Sequence, residues 1–332
     1  MSRALDKHVV AALQSGNPEV AYKSISQALQ PSHGDGSLLE IEILGHSHQL
    51  EDGVYLLRDG PAVAVSKLGL VQAFFVARRI LSGDIEKSHS HHDEELLAAT
   101  AVILLMDPEH LTAANARKRI IRKTVEPSGA LTEMHPKLAS EMWLLDSLLT
   151  SRLHRHTKSP TLWSHRRWLM GLHSSLGQPV DVTGSIVKIV AVAGERHPRN
   201  YYAWSHARWL MNLEPATARD RVLGPVKEWC IRHRNDISGW SFLHFLLLSG
   251  NITPEQIAEV FDEVLSLASS LRWTNESVWV FLRTLAASSS PACYLEFQST
   301  CNSLQQVTID VEDGKVLQAA ADWAVEYRPN IA

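Results

Sequence analysis

Lys158-Ser159-Pro160-Thr161-Leu162-Trp163-Ser164-His165-Arg166-Arg167-Trp168-Leu169-Met170 returns later in the chain as Arg199-Asn200-Tyr201-Tyr202-Ala203-Trp204-Ser205-His206-Ala207-Arg208-Trp209-Leu210-Met211. Two further stretches keep the register, Asn235-Asp236-Ile237-Ser238-Gly239-Trp240-Ser241 and Asn275-Glu276-Ser277-Val278-Trp279-Val280-Phe281-Leu282-Arg283. Successive tryptophans lie 41, 36 and 39 residues apart. A period of this length suits one helix pair per repeat.

Four residues before each tryptophan stands Ser159, Asn200, Asp236 or Asn275. Each of these side chains can accept a bond from an orphan N–H in the first turn of a helix, and Pro160 falls at the first helical position. The column reads as a set of N-caps. Each tryptophan then lies one turn into its helix, with Arg167, Arg208, His244 and Arg283 on the same face one turn further on. Trp163, Trp204, Trp240 and Trp279 are expected to fill the space between hairpins. The cations are expected to stack or bond across neighbouring helix pairs, and His165, His206 and His244 read as packed or exposed residues rather than catalytic ones.

Outward from the repeats, the helical period begins near Leu68; Leu97, Ala101, Leu104 and Leu105 share one face. Residues 66–332 are therefore read as a helical-hairpin repeat domain. Residues 1–65 are set apart as an N-terminal region: a helix within Leu5–Leu29, a turn-rich break at Pro31–Gly36, then short strands around Leu39–Ile43, Gly53–Leu57 and Ala62–Val65, with Asp59-Gly60 as a turn. The run Lys87–Asp93 is rich in histidine and reads as a solvated loop ending in an N-cap Asp93, ahead of a metal-binding tract. Arg117–Lys123 reads as a solvated basic helix face that can border an anionic ligand.

The formal net charge is -4 and the pI near 6.5, which give no general attraction to nucleic acid or anionic lipid. Three cysteines, Cys230, Cys293 and Cys301, offer neither a disulfide framework nor a zinc-binding pair, as expected in a reducing cytosol. Met1–Val20 lacks the apolar stretch of a signal peptide, and the longest uncharged apolar run, Leu96–Met106, is too short to span a bilayer. No HExxH, phosphate loop or Gly-x-Ser-x-Gly elbow occurs. A cytoplasmic protein without a metal or cofactor of its own is expected.

A polar cap, an aromatic, Trp and then His-Arg-Arg or a variant resembles the repeat of protein prenyltransferase alpha subunits, usually Pro-Lys-Asn-Tyr-x-x-Trp-x-x-Arg-Arg. The resemblance covers residues 94–330, with a degenerate first copy at Pro108–Lys118 in which Ala114 replaces the tryptophan. It implies an all-α fold, a right-handed superhelix of helical hairpins. It also implies a beta-subunit partner of the Rab geranylgeranyltransferase type, which holds the catalytic zinc. The implied reaction is transfer of a prenyl group from its diphosphate to a cysteine of a protein substrate.

By the same resemblance Lys158 matches the family lysine that helps hold the diphosphate, and Tyr201 and Tyr202 stand at substrate-facing positions. Pro160 in place of the usual Tyr, and Arg199 in place of Lys, depart from the pattern. The competing expectation is a non-catalytic helical-repeat scaffold that binds protein partners. Tetratricopeptide arrays, the usual form of such scaffolds, keep a stricter period of about 34 residues.

Overall fold

The computed structural model describes residues 16–31, 36–45, 48, 50–86, 93–125, 135–213, 217–248 and 252–328. The elements are almost all helical, in agreement with the expected all-helical repeat fold. The chain divides into two compact units, one ending at Val180 and the other beginning at Asp181.

The first unit opens with α1 (Pro18–Ala28), capped by the Asn17 side chain on Val20 N–H. Three short strands follow, β1 (Glu40–Leu44), β2 (Leu56–Asp59) and β3 (Ala62–Ser66). β3 pairs antiparallel with β2 across a turn at Gly60-Pro61, one residue later than the expected Asp59-Gly60, where Gly60 takes φ +56°, and parallel with β1 on its other edge. The first and third strands thus lie within a residue of the expected stretches, while the second starts three residues later than expected and runs on through Asp59. The sheet is joined to the helices that follow. β1 packs on α5 (Pro136–Leu149), Leu39 N–H donates to the buried Ser147 Oγ at 3.0 Å, and Trp143 Nε1 donates to Ser37 O at 2.8 Å. These bonds tie the sheet to a helix about a hundred residues away in sequence.

α2 (Lys67–Glu86), α3 (Asp93–Met106), α4 (Leu111–Val125), α5, the short α6 (His154–Thr157) and α7 (Pro160–Ser175) complete this unit. α3 is buried continuously from Ala99 to Leu105, as a helix hydrophobic on every side must be. Asp93 is its first residue rather than a cap, and its carboxylate pairs with Lys123 at 3.4 Å. The histidines of 87–92 lie outside the described residues.

The second unit starts with α8 (Val182–Gly184), a π-helical segment Ser185–Val190 and α9 (Ala191–Arg196), which run on from one another. α10 (Tyr201–Leu210), α11 (Thr217–Arg232), α12 (Ile237–Leu248), α13 (Pro254–Ser270), α14 (Glu276–Ser288), α15 (Pro291–Val307) and α16 (Val311–Tyr327) follow. α10, α12, α14 and α16 each contact the next to form one layer, and α13 packs on α15 in another.

The repeat register accounts for the core. Trp163, Trp204, Trp240 and Trp279 are all buried. Two positions later stand His165, His206, Phe242 and Phe281, and six positions later Leu169, Leu210, Leu246 and Leu285, all buried as well. In this column histidine and phenylalanine serve as flat rings of similar breadth. The Trp204 ring centroid lies 4.9 Å from that of Trp229 and 5.3 Å from that of Phe242, and Gly194 and Gly239 admit the Trp229 ring by carrying no Cβ. The large-to-small pairing is what close packing of two indoles against helix backbones requires.

Candidate functional site

The caps position everything else. Ser159 accepts from Leu162 N–H, Asn200 from Ala203 N–H, and Asp236 from both Ser238 and Gly239 N–H. The degenerate copy has a cap too: His110 Nδ1, four residues before Ala114, accepts from Ala113 N–H at 3.2 Å. Asn275 differs, since its side chain makes no cap bond and donates instead to Asn235 Oδ1 at 2.7 Å.

Lys158 is half-buried at the end of α6, immediately before the Ser159 cap. The residues around it in sequence are tied to the loop after α3. Three residues before it, Arg155 pairs with Asp107 at 3.0 Å, and three residues after it Thr161 donates to Glu109 at 2.6 Å. Ser159 Oγ donates to Pro108 O in the same loop. Tyr201 and Tyr202 begin α10 in the second unit, both exposed, with their rings in a T-shaped arrangement, centroids 5.5 Å apart. Arg199, which departs from the family lysine, holds φ +58°, and its N–H donates to Asp236 Oδ2 at 2.7 Å. Asp236 thereby fixes both its own helix and a strained residue in the preceding loop.

The cation column departs from expectation at one position. Arg167 is exposed, while its neighbour Arg166 is buried and donates to Asp146 Oδ1 at 2.6 Å and to Met170 Sδ at 2.8 Å. The equivalent residue of the degenerate copy, Arg117, is likewise buried, with Glu141 accepting from its Nε at 2.8 Å and its Nη2 at 2.6 Å. Both carboxylates come from α5, which carries no repeat motif. An acid among largely apolar neighbours is the one trace each leaves in the sequence, and it does not name the partner.

His165 Nε2 lies 3.4 Å from Glu141 Oε1, a long contact. Burial pushes the imidazole down to about 4, against the pull of Glu141, whose charge is already engaged by Arg117. The ring is therefore neutral. The Arg117 guanidinium in turn holds the Glu141 carboxyl below its usual range in spite of burial. Burial likewise pushes His156 down to about 4, with its Nε2 2.9 Å from Leu105 O. These buried groups have no route to a substrate and act as structural ties.

The partly exposed members of the cation column meet aromatic rings. Lys118 lies 5.8 Å over Trp168, Arg208 lies 5.7 Å over Phe245, and Arg283 lies 4.7 Å over Trp323. Among the described residues no group of three His, Cys, Asp or Glu is placed to hold a metal ion. No described helix is long and apolar enough to cross a membrane. The three cysteines are free thiols, Cys230 and Cys301 buried and Cys293 half-buried.

Residues 162–271, about a third of the chain, match the family model of the ECM9 middle domain, which is not a prenyltransferase alpha-subunit repeat. No curated protein matches the sequence. Among solved structures, the chain is similar to one titled Candida albicans protein geranylgeranyltransferase-I complexed with GGPP. The TM-score is 0.47 and the identity 16%, over 77% of this chain and 78% of that one.

Proposed function

We propose that this chain is the alpha-type subunit of a heterodimeric protein prenyltransferase of the geranylgeranyl type, working in the cytoplasm with a beta subunit of the Rab geranylgeranyltransferase type. The observation that supports this reading is the repeat itself. A cap side chain stands four residues before a buried tryptophan, with a buried ring two positions and a buried leucine six positions beyond it. Of that register, the spacing from cap to tryptophan is the part that the sequence motif shares with the family.

In this reading an acceptor cysteine thiolate attacks the prenyl carbon next to the diphosphate. A C–S bond forms as the C–O bond breaks, and diphosphate leaves with the electron pair. Zinc on the partner supplies the chemistry that keeps the thiol ionised. This chain contributes the Lys158 ammonium toward the departing charge and Tyr201 and Tyr202 toward the substrate. The exposure of both tyrosines favours the second reading, a non-catalytic scaffold.

Co-expression with such a beta subunit separates the two. The transferase reading expects a 1:1 complex by size-exclusion chromatography that moves a geranylgeranyl group from its diphosphate to a cysteine-bearing protein. A chain that forms no complex and supports no transfer overturns it.

A further inference from the structure

Arg208, His244 and Arg283 occupy one repeat position on α10, α12 and α14, helices that lie side by side in the second unit. All three are half-buried, and burial lowers the pKa of each. Among the described residues none of them forms an ion pair with a carboxylate. Arg208 donates to the exposed Ser241 Oγ at 2.8 Å and lies over Phe245; Arg283 lies over Trp323, and Glu276 acts on it only through its field. His244 Nε2 and Arg283 Nε are buried without a hydrogen-bond partner. The contrast within the chain is direct, because Arg117 and Arg166 each receive a carboxylate of their own. Half-desolvated guanidinium groups left without countercharge are unfavourable.

We propose that this face of the second unit binds an extended acidic segment of a partner protein, whose carboxylates complete Arg208 and Arg283. Trp209, Phe245 and Trp323, all half-buried, offer apolar surface to the side chains between. Packed helices lie roughly 8–10 Å apart, so two steps from α10 to α14 span about 16–20 Å. An extended chain advances about 3.3 Å per residue, which sets the two acids five or six positions apart. The neutral His244 imidazole between them favours an uncharged polar residue at the middle of the segment.

A nucleic acid is a poorer occupant. Two fixed cations neutralise about two phosphates and release too few counterions for useful affinity, and the chain as a whole carries -4. The proposal concerns the full chain without any second subunit, so it stands or falls apart from the transferase reading.

The test is fluorescence anisotropy of the full chain with short labelled peptides that carry two glutamates at increasing separation, beside a labelled oligothymidylate. Binding is expected to be tightest at a separation of five or six, and Arg208→Gln or Arg283→Gln is expected to weaken it roughly tenfold or more, in line with a lost charge-assisted bond. Ser241→Glu guards against misfolding of the arginine variants, because its carboxylate can pair with Arg208 in place of the peptide. It is expected to abolish peptide binding while the melting temperature holds or rises. Binding that ignores glutamate separation, survives Ser241→Glu, or is stronger for oligothymidylate overturns the proposal.

Discussion

The Lys118 ammonium stands 5.8 Å from the centre of the Trp168 ring. In repeat terms, Lys118 is four positions past the tryptophan site of one copy, and Trp168 is five past that of the next. Arg208 and Phe245 repeat the relation at 5.7 Å in the second unit. The cation of a repeat is thus handed to the aromatic of its successor rather than stacked on its own tryptophan.

Trp204→Ala is expected to cost about 3–5 kcal/mol, as for a large aromatic removed from a packed interior. Gly239→Ala should also destabilise, although alanine favours helix, because an added Cβ meets Trp229 Cζ3 at 2.4 Å. Thermal unfolding of the two variants checks both. A melting temperature raised by Gly239→Ala would show that Trp229 yields freely.

The cap column predicts unequal effects from the same substitution. Ser159→Ala should cost about 1 kcal/mol, and Asp236→Ala more, because three backbone N–H groups lose their acceptor. Asn275→Ala should fall within roughly 0.5 kcal/mol, as expected of a residue with no cap bond. Chemical denaturation of the three variants gives the ranking.

Glu141→Ala strands the Arg117 guanidinium in a buried site, at a cost of about 3–5 kcal/mol. Replacing both partners, Arg117→Met with Glu141→Leu, should recover most of that loss. Denaturation midpoints of the single and double variants decide whether the pair holds the helices together or merely satisfies itself.

Acid should weaken the fold in two stages. His156 and His165 have folded values of about 4 against 6.5 in the unfolded chain. The unfolded chain therefore binds protons first, and the stability is whole above pH 6.5 and lost as pH falls toward 4. The loss is about 3 kcal/mol per histidine. Glu141, with its folded value below the unfolded 4.5, contributes above that pH and loses its contribution on further acidification. His165→Phe borrows the ring found at Phe242 and Phe281, and should reduce the fall in melting temperature between pH 7 and 4.5. An unchanged slope would show that His165 takes up its proton without unfolding.

If the transferase reading holds, Lys158→Ala should slow turnover of the heterodimer by roughly 10- to 150-fold, the worth of a charge-assisted hydrogen bond of about 1.5–3 kcal/mol. Assembly should survive, and Lys158→Arg should retain part of the activity. Steady-state kinetics on complexes verified by chromatography provide the comparison. A wild-type rate for the alanine variant assigns Lys158 to the surface.

The caps and buried tryptophans were legible in the sequence because an N-cap bond spans only three or four residues and a helical face repeats within one turn. The strands showed through their alternation for the same local reason. Glu141 and Asp146 were not legible, since their partners Arg117 and Arg166 lie on other helices and α5 bears no motif. Spacing from Trp163 points to Arg167 rather than Arg166, because it names a face but not which neighbouring face is covered. Around Lys158 the sequence shows the lysine, but not that Arg155 and Thr161 on either side of it engage Asp107 and Glu109 of a loop some fifty residues earlier.

Asp236 gives the loops of the second unit a shared fate. Its carboxylate secures the Arg199 amide, and its neighbour Asn235 accepts from Asn275, so three successive loops are linked. Loop amides ordinarily exchange with solvent deuterium by local fraying, independently of one another. The Arg199 amide should instead exchange only when the first turn of α12 opens, at a rate that follows helix amides such as Gly239 rather than its own exposed surroundings.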